Sequence, residues 1–122
     1  MRTEIFRSYI IEAAHRLPNV PAGHKCARLH GHSFKITLHI SGDIDPKLGW
    51  IIDFGDVDAA FAPLFDQLDH HYLNEVPGLE NPTSELFARW ILERLRLPSA
   101  KLLAVTIDET CNARCTVYAS EG

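Results

Sequence analysis

Hydrophobic and polar positions along this chain switch between two periods. Residues 33–41 alternate strictly, with Phe34, Ile36, Leu38 and Ile40 on one side and Lys35, Thr37, His39 and Ser41 on the other. That is the pattern of a strand with one buried face. Residues 102–109 alternate again, with Leu103, Val105 and Ile107 sharing a face, and 115–119 form a last strand after a turn at 111–114. Residues 3–12 carry Ile5, Phe6, Tyr9, Ile10 and Ile11 and read as a strand whose register the pattern leaves open. From Phe54 the period lengthens. Val57, Ala60, Phe61, Leu64, Phe65 and Leu68 recur at helical spacing. Asp53 stands where an N-cap belongs, and Pro63 predicts a kink or a restart. Asn81-Pro82-Thr83-Ser84 reads as the start of a second helix. Its buried stripe is Leu86, Phe87, Trp90, Ile91 and Leu95, and Pro98 ends it. Residues 16–29 form a loop, 42–49 a turn, and Trp50-Ile51-Ile52 a short extended stretch.

The order β-β-α-α-β-β predicts an α+β fold, with two helices on one face of a four-stranded antiparallel sheet. Its sheet edges stay open, a liability unless another chain covers them. The 122 residues fit one domain, 1–122, and a hydrophobic content of 46% supplies a core. A domain this small gains from oligomerisation. The net charge of −4 argues against nucleic-acid binding. No apolar run approaches the ~20 residues of a membrane span. Met1-Arg2-Thr3-Glu4 does not open a signal peptide, so the expected location is the cytoplasm. The three cysteines, Cys26, Cys111 and Cys115, do not read as a disulfide framework, and Cys111 and Cys115 read as small packed residues around a tight turn.

Histidine changes the picture. His30-Gly31-His32 leads into the alternating strand. Side chains at i and i+2 share a face, so both imidazoles point inward with Phe34 if the strand begins by residue 30. Two imidazoles on one face can converge on a metal, and zinc suits nitrogen ligands in a tetrahedral arrangement. His15, at the end of the first strand, is the natural third ligand, which leaves a fourth position open as catalytic zinc requires. A lone H-x-H is weak evidence, and His24 and His39 read as ordinary loop and polar-face residues. Cys26 is either a fourth ligand of a closed structural site or a nucleophile or base beside a cationic centre, with Lys25 and Arg28 supplying positive charge nearby. Leu68-Asp69-His70-His71 offers an acid–base pair, although neighbours on a helix do not face each other. Glu109 continues an apolar strand face, where a carboxylate needs a partner, unless it simply reaches solvent.

Taken together, these residues resemble the 6-pyruvoyltetrahydropterin synthase family. The segment from Cys26 to His32 resembles its C-x-x-x-H-G-H motif, and Glu12-Ala13-Ala14-His15 its upstream zinc-histidine segment. Four later segments resemble its motifs in order: Gly49 to Phe54, Leu68 to Asn74, Asn81 to Glu85, and Asp108-Glu109-Thr110. The match is most similar to the short 6-carboxytetrahydropterin synthase branch of the queuosine pathway. The resemblance implies a tunnelling fold whose sheets close a barrel as trimers that pair into homohexamers. It implies zinc on His15, His30 and His32, with Cys26 as base and Asp69 and His70 as a relay reaching in from a neighbouring subunit. Glu109 would hold the pterin, with Thr83 and Ser84 also at the substrate. Lys25 and Arg28 are candidates for triphosphate contacts. The implied reaction is a zinc-dependent lysis of dihydroneopterin triphosphate that releases acetaldehyde and triphosphate. The alternatives are triphosphate elimination without carbon–carbon cleavage, giving the 6-pyruvoyl product, or a non-catalytic zinc- or pterin-binding module.

Overall fold

A computed structural model describes residues 2–110 and 112–120. Strands β1 (Glu4–His15) and β2 (His30–Ser41) precede helices α1 (Phe54–Leu68) and α2 (Ser84–Arg94), and β3 (Lys101–Thr110) and β4 (Ala113–Tyr118) follow. The strands form one antiparallel sheet in the order β1-β2-β3-β4. On β2 the strict alternation buries Phe34, Ile36, Leu38 and Ile40 completely. On β1 it is Ile5, Tyr9, Ile11, Ala13 and His15 that turn to the core side, while Phe6 and Ile10 stand 54% and 64% exposed on the other face. Both strands outrun their hydrophobic pattern, because β1 and β2 stay paired to the His15–His30 pair. The inward side chains there are imidazoles, so a pattern of apolar residues ends too early.

Strand β3 departs from the expected alternation. A β-bulge pairs Ile40 with Leu102 and His39 with Ala104, leaving Leu103 as the extra residue. Leu102 therefore packs on the core. Leu103 instead lines a cavity with His39 and Tyr118. His39 is an ordinary residue there, its Nε2 2.7 Å from the Thr106 hydroxyl.

The helices pack on the core side. The Asp53 carboxylate accepts the Gly55 N–H at 2.8 Å and caps α1. No restart occurs at Pro63, and α1 runs through it. Pro63 and Ala59, the residue whose carbonyl loses its helical partner, are both exposed, so water can serve that group. Asp58 docks α1 on β1. It accepts two bonds from the Arg7 guanidinium at 2.8 and 2.9 Å and one from the Tyr9 hydroxyl at 2.6 Å. Tyr9 also stacks on Phe61. In α2 the buried stripe is Phe87, Ala88, Trp90 and Ile91, with Leu95 buried at its C-cap, and Leu86 is only half-buried. The helix ends at Arg94, ahead of Pro98. Trp50-Ile51-Ile52 is not extended: it bends, and Ile51 and Ile52 plug the core from a loop.

One sheet edge is less open than expected. The chain after α1 runs along the end of β1, where His70 N–H donates to the Glu12 carbonyl at 2.6 Å and Ala14 N–H to that of His71 at 3.2 Å. The remainder of β1 and the outer side of β4 have no partner strand among the described residues.

Candidate metal centre

Three imidazoles meet where β1 ends and β2 begins. His15 and His30 are paired across the two strands, and His32 lies two residues along β2 on the same face. One ring nitrogen from each of the three lies within 4.8 Å of the others. His15 is the buried member, at 1% exposure. Burial holds its imidazole below the usual value and so keeps it neutral. Its Nδ1 lies 3.0 Å from the Pro82 carbonyl, and the His30 Nδ1 lies 2.7 Å from the Arg28 carbonyl. A carbonyl only accepts, so Nδ1 carries the proton in both rings and Nε2 is left as a bare lone pair. The His15 Nε2 is buried without a hydrogen-bond partner. An orphaned basic nitrogen beside two more imidazoles, with its far side fixed by a carbonyl, is the arrangement a metal-ligating histidine needs. The donor set fits a divalent transition metal.

Cys26 does not join this set among the described residues. It sits in a one-turn 3-10 helix, Lys25–Ala27, capped by the His24 Nδ1 that accepts the Cys26 N–H at 3.0 Å. Cys26 instead lines a cavity of about 480 Å³ with Lys25, Arg28, Leu29, His30, His32 and Glu109. Strand pairing explains that opening. β3 pairs with β2 only as far as Lys35–Asp108, so His30–Phe34 are left without β3 alongside. A second bulge on β3, between Asp108 and Thr110, leaves Glu109 unpaired to β4. Its carboxylate lies 3.6 Å from the His15 Nε2. Glu109 therefore faces the histidines, with 31% of its side chain still exposed. A Cβ at Gly31 would meet only the Ala13 carbonyl at 3.8 Å, so nothing within the chain demands glycine between the two histidines.

The chain matches the family described as 6-pyruvoyl tetrahydropterin synthase over residues 4–120. It is 38% identical to a 6-carboxy-5,6,7,8-tetrahydropterin synthase of Synechocystis, with 93% of this chain and 92% of that protein covered. It is 35% identical to a putative enzyme of that name from Archaeoglobus fulgidus, over 80% and 79% of the two chains. The solved 6-pyruvoyl tetrahydropterin synthase of Caenorhabditis elegans superposes with a TM-score of 0.88 at 26% identity, covering 98% of this chain and 97% of that one.

The chain belongs to the 6-pyruvoyl tetrahydropterin synthase family.

Its sheet and two helices are the tunnelling fold of this family. The family match spans every candidate residue from His15 to Glu109. The structure brings His15, His30, His32, Cys26, Glu109, Lys25 and Arg28 to one place and leaves the others elsewhere. Asp69 and His70 do form a pair, with His70 Nδ1 2.9 Å from the Asp69 carboxylate. They meet because Asp69 is the C-cap of α1 and His70 turns left-handed, at φ 58°. The Glu12 N–H, donating at 2.9 Å, and then His70 hold the Asp69 carboxyl below its ordinary range. His70 lines a different cavity, with Glu12, Ser33 and His32. Within one chain it does not share the Cys26 cavity. The Thr83 hydroxyl is used as the N-cap of α2, accepting the Leu86 N–H at 3.1 Å, and Ser84 opens that helix. Neither lines the Cys26 cavity. Cys115 is half-buried on β4 opposite Ile107, and burial, followed by Glu85, pushes its thiol up. Cys111 lies outside the described residues. The sequence pattern missed the contributions of Glu12, Asn74 and two backbone carbonyls. Glu12 and Asn74 stand inside the quoted motifs, whereas a carbonyl leaves no trace in a residue pattern.

Proposed function

We propose that the chain is a zinc-dependent carbon–carbon lyase. With consumption of one water, it converts dihydroneopterin triphosphate to 6-carboxytetrahydropterin with release of acetaldehyde and triphosphate, a step toward 7-deazapurines such as queuosine. The observation that carries this reading is the three-imidazole cluster, with bare Nε2 atoms on His15 and His30, whose His30 and His32 open into a cavity shared with Cys26 and Glu109. Its relatives named 6-carboxy-5,6,7,8-tetrahydropterin synthase support this branch of the family.

His15, His30 and His32 would hold the zinc. When bound there, the metal supplies a Lewis acid that makes the substrate's side-chain hydroxyls and adjacent C–H more acidic. Cys26, which lines the same cavity as His30 and His32, takes the proton. Glu109 holds the amino-pyrimidine edge of the pterin through paired hydrogen bonds. Lys25 and Arg28, both exposed beside Cys26, take the triphosphate. Asp69 holds His70 in place as an acid–base relay, and a neighbouring copy of the chain delivers the pair to the cavity. Six copies, as two trimers, would close the sheets into barrels. The unpaired edges and the exposed Phe6 and Ile10 on the face without helices support that assembly. No helix among the described residues is long and apolar enough to cross a membrane, which is compatible with a cytoplasmic enzyme.

The test is metal content and turnover measured together. The zinc-loaded chain should carry one zinc per subunit and consume dihydroneopterin triphosphate. The double variant His30→Ala, His32→Ala should lose both. Stoichiometric zinc retained in the double variant would sink the ligand assignment, and a zinc-loaded wild type inert toward this substrate would sink the function.

A further inference from the structure

Two side chains outside the cavity control the backbone that meets His15. Asn74 lies in the 3-10 turn Leu73–Glu75. Its Oδ1 accepts the Arg16 N–H at 3.0 Å, and its Nδ2 donates to the carbonyls of Arg16 at 2.9 Å and Glu80 at 3.3 Å. One amide thus ties the residue after His15 to the residue two before Pro82. Thr83 fixes the other side. Its hydroxyl caps α2, and its N–H donates to the Asn81 carbonyl at 2.9 Å, folding the chain tightly around Pro82. The Pro82 carbonyl precedes the helix, so no helical N–H needs it. It is free to accept from the His15 Nδ1 at 3.0 Å.

The imidazole of His15 has a second acceptor in reach. The Glu109 carboxylate lies 3.6 Å from its Nε2. A neutral imidazole has one proton to give. If Nδ1 holds it, Nε2 faces His30 and His32 as a ligand. If the carboxylate draws it to Nε2, that nitrogen can no longer bind a metal. The shorter contact decides, and the shorter contact depends on where Pro82 is held.

We propose that Asn74 and Thr83 are positioning residues for the metal centre, holding the Pro82 carbonyl on Nδ1 of His15 so that the ring presents Nε2 to the metal. This rests on the reading that the three imidazoles bind zinc. Outer partners of ligating histidines fix tautomer and ring orientation, and losing one typically costs roughly 10- to 100-fold in metal affinity.

The experiment compares the full-length wild type with Asn74→Asp, Thr83→Val and Thr83→Ser. Asn74→Asp keeps the acceptor for Arg16 but loses both donated bonds. Thr83→Val loses the cap, and Thr83→Ser keeps it. Zinc affinity is read by chelator competition, the metal geometry by the visible spectrum of the cobalt(II)-substituted proteins, and folding by the melting temperature of the metal-free proteins. Asn74→Asp and Thr83→Val should bind zinc roughly 10- to 100-fold more weakly and shift the cobalt bands, while Thr83→Ser keeps the wild-type values. Variants that melt earlier yet keep wild-type zinc affinity and cobalt spectrum would overturn the proposal and leave the zinc site standing. A wild type that binds no zinc would overturn both. Nitrogen-15 NMR of the metal-free wild type needs no variant at all. It should find the His15 proton on Nδ1, and a proton on Nε2 contradicts the clamp.

Discussion

Replacing Cys26 by alanine separates a catalytic base from a fourth metal ligand. The thiol lies outside the three ring nitrogens that sit within 4.8 Å of one another, so its removal should leave zinc at one per subunit. The 3-10 turn that carries it buries none of its residues. The cap on that turn uses the Cys26 backbone N–H, which the substitution keeps. A change at such a site typically costs within about 0.5 kcal/mol, or about 2 °C in melting temperature for a domain of this size. Turnover should respond very differently. A positioned acid–base group contributes roughly 10²- to 10⁴-fold, or about 3–5 kcal/mol of barrier. One preparation of Cys26→Ala, assayed for zinc by atomic emission, for unfolding by calorimetry and for turnover of dihydroneopterin triphosphate, gives all three numbers. A zinc-poor, unstable variant would show that Cys26 is a ligand of a structural site. A zinc-replete variant with undiminished turnover would show that it is neither ligand nor base.

Glu109→Gln should keep its zinc but raise KM for the pterin roughly 10- to 100-fold, the worth of hydrogen bonds to a charged group; an unchanged KM contradicts its place at the pterin. Asp58→Asn should lower the melting temperature by a few degrees, because the Arg7 guanidinium and the Tyr9 hydroxyl lose their charged acceptor on α1. The bond from Arg7, and then that from Tyr9, holds the Asp58 carboxyl below its ordinary value. Its stabilisation is therefore complete above the unfolded value of about 3.9 and is lost as pH falls through the folded one. The gap in urea midpoint between wild type and Asp58→Asn should stay level from neutral pH to about pH 5 and narrow below about 3.9; a gap that widens in acid refutes this role. Light scattering should give several subunits, and a monomer at micromolar concentration with full activity would rule out an active site shared between copies.

The sequence carried most of the fold wherever one face was apolar and the other polar. β2 alternates without exception, so its start at His30 already implies inward imidazoles. β1 was ambiguous because its outer face also carries Phe6 and Ile10, which the helices leave uncovered. A period-2 pattern cannot separate two apolar faces. The bulge that sends Leu103 to the outer face is likewise invisible in alternation, since it is set by pairing with β2. At the site, the H-x-H pair, His15 and Cys26 were legible from residue type and spacing. The Asp69–His70 contact was not, because the rule that helical neighbours diverge fails where the helix has ended and His70 turns left-handed. Thr83 carries a second use that its residue type hid: its hydroxyl, expected at the substrate, also accepts the Leu86 N–H as the N-cap of α2.

The central claim is that this site breaks a carbon–carbon bond, and the products decide it. Zinc-loaded full-length chain incubated with dihydroneopterin triphosphate should release acetaldehyde and triphosphate in equal amounts and leave a pterin with a carboxyl group on its ring. Triphosphate released without acetaldehyde, with a three-carbon side chain still on the pterin, would contradict the claim and make the chain a 6-pyruvoyltetrahydropterin synthase.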